Sequence, residues 1–337
     1  MSSSLQMNRK VAVITGANTG IGYSLAEKLV KAYPTIILCL ACRSNEKAKE
    51  AAKGLSELSS EARIDIVIVD TSNVDSVYTA AATLRERYNH IDYLYLNAGV
   101  MTVRGVDWSH FWQGLFSKRI FYMFTTGEGL LIQEDGATKD GLMHVFQTNV
   151  FGHYMLIKEL ESHLGNVSEK SCSPSQLIWT SSSASQRDAF SYEDFQHKNG
   201  KDPYGSSKFA IDVVSVGLNN RLNKQGVYSH VVCPGLVMTN MTYGILPQWF
   251  WTLVFPIIWL LRFFVPSMTN SASNGAEALY WLSSQDPSSL DPQTKYLSEV
   301  NILGQPHVSK KKMNIDPDKA ENFLQELDKL DQTLRHR

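Results

Sequence analysis

The chain has 337 residues, 43% apolar and 19% charged, enough to bury one large core, and no internal repeat or low-complexity linker divides it. A formal net charge of −1 lacks the basic surplus of a nucleic-acid binder, so no nucleic-acid partner is expected. Four cysteines in this length make no disulfide framework, which points to a reducing compartment and leaves the sequons at Asn166 and Asn240 unused.

The first apolar run, Val11 to Thr15, has strand length, is too short for a signal peptide, and ends in Gly16-Ala17-Asn18-Thr19-Gly20-Ile21-Gly22. Leu25, Ala26, Leu29 and Val30 then recur at helical spacing. This is strand, phosphate loop, helix. Gly16 permits the tight turn, Gly20 lets backbone approach a pyrophosphate, and Gly22 allows close helix–strand packing, with the helix N-terminus facing the anion. A second strand, near 36–42, ends in Leu40-Ala41-Cys42-Arg43. Enzymes that prefer NAD place a carboxylate about twenty residues beyond the loop, on the ribose 2′-hydroxyl. Here that position is Cys42, and Arg43 beside it can fork onto a 2′-phosphate, so NADPH is the predicted cofactor. Cys39 and Cys42 would point to opposite faces of this strand, which defeats both a disulfide and a metal clamp.

Further strands are predicted near 63–69, 92–97, 175–181, 227–233 and 294–298, with helices near 20–32, 45–58, 73–88, 138–163, 203–224 and 270–284. Right-handed crossovers between them give an α/β fold, a doubly wound, Rossmann-like parallel sheet of seven strands in a single domain over 1–337. The fourth strand ends in Asn97-Ala98-Gly99, beside the first loop; the fifth delivers Thr180-Ser181-Ser182-Ser183 at its carboxyl end, where open α/β sheets bind ligands. The next helix carries Tyr204 and Lys208 one turn apart, about 5–6 Å between Cβ atoms. An ammonium so placed favours the phenolate and draws the phenol toward use as an acid–base.

Two segments exceed what such a sheet needs. The insertion at 100–137 carries Trp108, Phe111, Trp112, Phe116, Phe121, Tyr122 and Phe124; the run at 245–265 is almost wholly apolar and holds Trp249, Trp251 and Trp259. Both are predicted to wall a lipid-like substrate site, with a hydrophobic homodimer interface as the alternative. About 20 apolar residues cross a bilayer core, but Pro247 and Pro256 break a straight helix, and a crossing would strand the last helix and strand on the far side. A hairpin that dips into membrane lipid is therefore expected, with a soluble lid and a full span as the other options. Lys310-Lys311-Lys312 could add attraction to anionic lipid. An amphipathic tail, 316–334, is expected to pack as a helix on the body.

Thr15-Gly16-x-x-x-Gly20-Ile21-Gly22, Asn97-Ala98-Gly99, Asn149, Ser182, Tyr204, Lys208 and Pro234-Gly235 resemble the short-chain dehydrogenase/reductase family in order and spacing, over roughly residues 9–300. Longer strings, among them 176–182, 193–197 and 242–247, resemble its branch acting on sterol and steroid ketones. The resemblance implies NADP(H)-dependent reduction of a sterol or steroid ketone, at C3 or C17, on the cytosolic face of the endoplasmic reticulum membrane. A lipid-aldehyde reductase and a catalytically silent nucleotide-bound protein are the alternatives. It implies that Ser182 holds the carbonyl oxygen, Tyr204 donates the proton, Lys208 binds the ribose and Asn149 holds a relay water to Lys208. Asn18, Thr19, Asp70 and Thr239 would join the cofactor site, Asp70 at the adenine and Thr239 at the carboxamide. The 22 residues from Ser182 to Tyr204 exceed the family's usual spacing, and Ser181 and Ser183 compete with Ser182.

Overall fold

The architecture follows from a computed structural model that describes residues 9–109, 113, 131–165, 173–237, 265–269 and 271–335. Strands with no exposed face form the middle of the sheet: β1 (Val11–Thr15), β4 (Tyr93–Leu96) and β7 (Ser175–Thr180) are buried along their whole length, as parallel strands covered on both faces must be. β2 (Ile37–Cys42) and β3 (Arg63–Ile68) extend one side, β8 (Val227–Cys233) and β9 (Thr294–Val300) the other. With β10 (Pro306–Lys312) at one edge, the order is β10-β9-β8-β7-β4-β1-β2-β3.

The sheet thus has eight strands where seven were expected. The extra one, β10 (Pro306–Lys312), runs antiparallel to β9 and contains the lysine run. Its charge hid it from a hydrophobic reading, and charge is what an edge strand needs to resist pairing with another chain. The Lys310 ammonium lies 5.9 Å from the Trp281 ring centroid and 6.0 Å from that of Tyr296.

Helices cover both faces. On one lie α1 (Gly20–Ala32), α2 (Asn45–Leu58) and α6, which spans 272–283 as Ala272–Gly275 and Glu277–Ser283. On the other lie α3 (Val74–Arg87), α4, α5 (Pro203–Leu222) and α7 (Pro317–Arg335). α4 spans 144–160: a π-helical turn, Gln147–Phe151, separates His144–Phe146 from Gly152–Leu160. The expected helix therefore starts six residues late, because 138–143 form a turn closed by Thr138 N to Leu142 O. Cys39 packs in one core and Cys42 in the other, as alternation requires.

Within the insertion, β5 (Val103–Val106) and β6 (Leu131–Gln133) pair as a bulged antiparallel ribbon. The apolar run at 245–264, the insertion's Phe111, Trp112, Phe116, Phe121, Tyr122 and Phe124, Thr239 and both sequons lie outside the described residues. Among the described residues no helix is long and apolar enough to cross a membrane. α7 is an integral part of the core: Phe323 stacks edge-on against Phe190, Tyr192 and Phe195. These three come from the long segment between Ser182 and Tyr204, so its extra length is filled by contact with the tail helix.

Candidate active site

Six strand ends and three helices meet along the carboxyl edge of the sheet. The loop after β1 turns back through Gly16 and Gly20, with φ of 68° and 58°, conformations only glycine adopts freely. Gly22 opens α1 so close to that turn that a Cβ would sit 2.4 Å from the Gly16 oxygen. Thr19 caps α1 without a side-chain hydrogen bond, so no side chain consumes the first-turn N–H groups. These features fit a pyrophosphate. Asn18 and Ile21 are half-buried in the same loop.

β2 ends on the other side of the loop. Cys42 is buried and its sulfur accepts from the N–H groups of Ala17 and Asn18, while Arg43 is exposed. Burial pushes the Cys42 thiol up to about 11, so it stays a neutral support under the loop. Asp70, just past β3, accepts from Ser72 N at 3.0 Å and Ser72 Oγ at 2.6 Å, and borders a groove of about 400 Å³ with Asn73, Lys139 and His144.

Thr15 joins the first loop to the fourth strand. Its Oγ1 accepts from Asn97 N at 2.8 Å and Ala98 N at 3.0 Å, and the Asn97 amide donates to Thr15 O at 3.0 Å. Sequence reading missed the next partner: His153 Nε2 lies 2.9 Å from Thr15 Oγ1, and its Nδ1 lies 3.2 Å from Asn149 O. Burial lowers the His153 pKa to about 4, leaving the ring neutral. The i, i+4 spacing from Asn149 was the available signal.

Asn149 sits in the π-helical turn, which accounts for the interruption of its helix. Its Oδ1 accepts from Val100 N at 2.8 Å, and its Nδ2 donates to Val100 O at 3.0 Å and Ser207 Oγ at 2.9 Å. A Cβ on Gly99 would lie 3.2 Å from Asn149 Oδ1 and 3.6 Å from Lys208 Nζ, so Gly99 keeps the space before both groups open.

α5 is built to present Tyr204 and Lys208. Pro203 takes its first position, and the Asp202 cap accepts from Gly205 N at 2.9 Å. Gln133 of β6 donates to Asp202 Oδ1 at 2.7 Å and accepts from Tyr204 N at 3.0 Å, which docks the insertion on the catalytic turn. Lys208 Nζ lies 5.4 Å from the Tyr204 ring centroid and donates to Thr180 O at 2.8 Å. The Ser182 hydroxyl accepts from Ala184 N at 3.1 Å and lies near enough to the Tyr204 hydroxyl to favour its phenolate. Ser181, by contrast, is buried and donates to Lys208 O at 3.2 Å.

Electrostatically the pair departs from the expectation that Lys208 lowers the phenol. Tyr204 keeps some surface open to the cleft, yet desolvation pushes its pKa up to about 12, only partly opposed by Ser182. Desolvation likewise draws Lys208 down to about 8, with Asp212 opposing and Lys295 adding to the fall. Burial outweighs attraction for both groups.

After β8, Gly235 adopts φ 73°, and a Cβ there would lie 2.3 Å from Ser267 O. Thr269 Oγ1 donates toward Pro234 O and Leu236 O, at 3.0 and 3.2 Å. The described residues of the expected site thus lie at the carboxyl ends of β1, β2, β3, β4, β7 and β8 and on α1, α4 and α5, with Arg43 and Asp70 on the β2–β3 side and Tyr204 on the β7–β8 side.

A family model described as short chain dehydrogenase matches residues 10–248, and the chain belongs to that family. It is accordingly an oxidoreductase that works with a nicotinamide dinucleotide. The chain is similar to the 3-keto-steroid reductase/17-beta-hydroxysteroid dehydrogenase 7 of Homo sapiens, at 48% identity over 327 residues, 97% of this chain and 95% of that one. A 3-keto-steroid reductase of Schizosaccharomyces pombe is 32% identical over 254 residues, 69% of this chain and 70% of that one. Among solved structures, a Pseudomonas aeruginosa RhlG/NADP active-site complex shares the fold with a TM-score of 0.59 at 19% identity, over 84% of this chain and 92% of that one.

Proposed function

We propose that the chain reduces a sterol or steroid ketone to its alcohol with NADPH. The observation that carries this reading is the Ser182–Tyr204–Lys208 cluster at the sheet's carboxyl edge, in a chain that aligns over 97% of its length with a 3-keto-steroid reductase. Bound nicotinamide supplies the hydride. Ser182 donates to the carbonyl oxygen, and Tyr204 gives that oxygen its proton as negative charge develops. A phenol with a pKa near 12 is protonated at neutral pH, the form a reduction consumes. Lys208 stabilises the phenolate left behind and faces the space that Gly99 leaves open for the ribose. Asn149 holds the relay water that returns a proton to Lys208. Each group aimed at the developing oxyanion is worth about 3 kcal/mol of barrier. Thr239 would fix the carboxamide, Asp70 would meet the adenine, and Arg43 binds the 2′-phosphate.

Substrate entry from lipid belongs to the same reading. The β6 end of the insertion docks through Gln133 on the Tyr204 turn, which supports a lipid-soluble ketone as the substrate of this site. The apolar run at 245–265 dips into the cytosolic leaflet of the endoplasmic reticulum. NADPH oxidation by the purified chain with a 3-keto sterol, estrone and retinal tests the substrate class. Turnover of a steroid ketone is expected, and preference for retinal overturns the assignment. Protease treatment of sealed microsomes tests attachment: tags at both ends are cleaved from outside if the run dips, whereas protection of one end alone establishes a span.

A further inference from the structure

Behind the site lies a buried ion pair that the mechanism above does not use. Lys295 projects from β9 and Asp212 from α5, one turn beyond Lys208, and their charged groups meet at 2.6 Å with side-chain exposures of 8% and 4%. The same ammonium donates to Ser181 Oγ at 3.2 Å and to Ser182 O at 3.4 Å. Ser185 donates to the Asp212 oxygen that faces Lys295. Ser181 in turn donates to Lys208 O. Lys295 thus holds the Ser181 hydroxyl and the Ser182 carbonyl on either side of the Ser182 side chain, whose hydroxyl faces Tyr204 and accepts from Ala184 N at 3.1 Å. The other Asp212 oxygen has no hydrogen-bond partner. A buried pair with an unsatisfied oxygen is a poor device for stability, since apolar residues of similar volume would serve the core as well or better.

We propose that Lys295 and Asp212 are positioning residues for the reduction: Lys295, held by Asp212, ties down the Ser181 hydroxyl and the Ser182 carbonyl so that the Ser182 hydroxyl meets Tyr204. The two charges also act on the ionisation of Lys208. The inference rests on the reading that Ser182, Tyr204 and Lys208 carry the reaction. The charged and titratable groups that face Lys208 are Asp212 and Tyr204 on its own helix, Lys295 on β9, Cys233 at the end of β8 and His153 on α4. Of these, Asp212 raises and Lys295 lowers the Lys208 pKa. Removing the anion alone leaves two buried cations facing each other, and removing both charges relieves that repulsion.

The test uses three variants of the full chain: Lys295→Met, Asp212→Asn, and the double variant with Lys295→Met and Asp212→Leu. Melting temperature, NADPH affinity across pH by protein fluorescence, and kcat and KM for the ketone are read on each. The double variant is expected to melt at or above the wild-type temperature yet to lose about 30-fold in kcat, with ketone KM within a factor of about three. Asp212→Asn should move the high-pH limb of NADPH affinity about one unit lower, and Lys295→Met should move it higher. A double variant that is folded and turns over at the wild-type rate, or an unmoved limb in both single variants, overturns the proposal. The limb is read without any ketone, so it stands if the substrate reading fails. Wild-type protein that binds NADPH yet reduces no ketone defeats that reading and leaves the ionisation result to decide this one.

Discussion

Tyr204 and Arg43 stand at opposite ends of the site and separate chemistry from cofactor choice. Tyr204→Phe keeps the ring against Lys208 but removes the only proton the phenol can give. Turnover is expected to fall by about 10³-fold or more while NADPH affinity, measured by fluorescence titration, stays within about twofold. Retained turnover would move the acid to another group. Arg43→Ala should raise KM for NADPH by about tenfold or more and leave KM for NADH nearly unchanged. Equal effects on the two cofactors would remove Arg43 from the 2′-phosphate. Both were candidates from the sequence alone, since a four-residue spacing and a position counted from a glycine loop survive without coordinates. The sign of the Tyr204 shift was not legible there, because desolvation depends on how closely the folded chain surrounds the first turn of α5. Ser182 could be separated from Ser181 only once Lys208 O and Lys295 were seen to occupy the Ser181 hydroxyl.

At the scale of elements, Gln133 ties the described end of the insertion to the catalytic helix. Gln133 satisfies both the Asp202 cap and the Tyr204 N–H, so Gln133→Ala leaves a helix N-terminus with two looser groups. Its expected signature is a kcat about tenfold lower with a melting temperature within about 4 °C of wild type. An unchanged kcat would make the ribbon β5–β6 a bystander. Each of the seven predicted strands forms, because period and length identify buried parallel strands well. β10 escaped through its lysines, and β5–β6 escaped because their strands are four and three residues long with a bulge at Gly105. Asp212 and Lys295 were invisible for a different reason: residues 83 positions apart (295 − 212) meet only when β9 has taken its place in the sheet.

For the whole molecule, two buried imidazoles make stability depend on pH. His153 and His230 are each drawn by burial from the ordinary 6.5 to about 4. Neither ring nitrogen of His230 finds a hydrogen-bond partner. The unfolded chain therefore binds protons first, so stability is full above about pH 6.5 and is lost as pH falls toward 4, by about 3 kcal/mol for each ring. Urea unfolding at pH 7.0 and pH 5.0 checks this, and His230→Gln should flatten the dependence; a variant with the wild-type slope would exonerate that ring. The aromatic seal between α7 and the segment before Tyr204 carries a consequence in time. α7 begins 113 residues after Tyr204 (317 − 204) and is the element that covers Phe190, Tyr192 and Phe195. At about 5–20 residues per second, a ribosome makes the catalytic helix roughly ten seconds before it makes the cover. During that interval the nascent chain exposes a cluster of aromatic rings beside its future active site, and its maturation depends on keeping that cluster from other chains until α7 arrives.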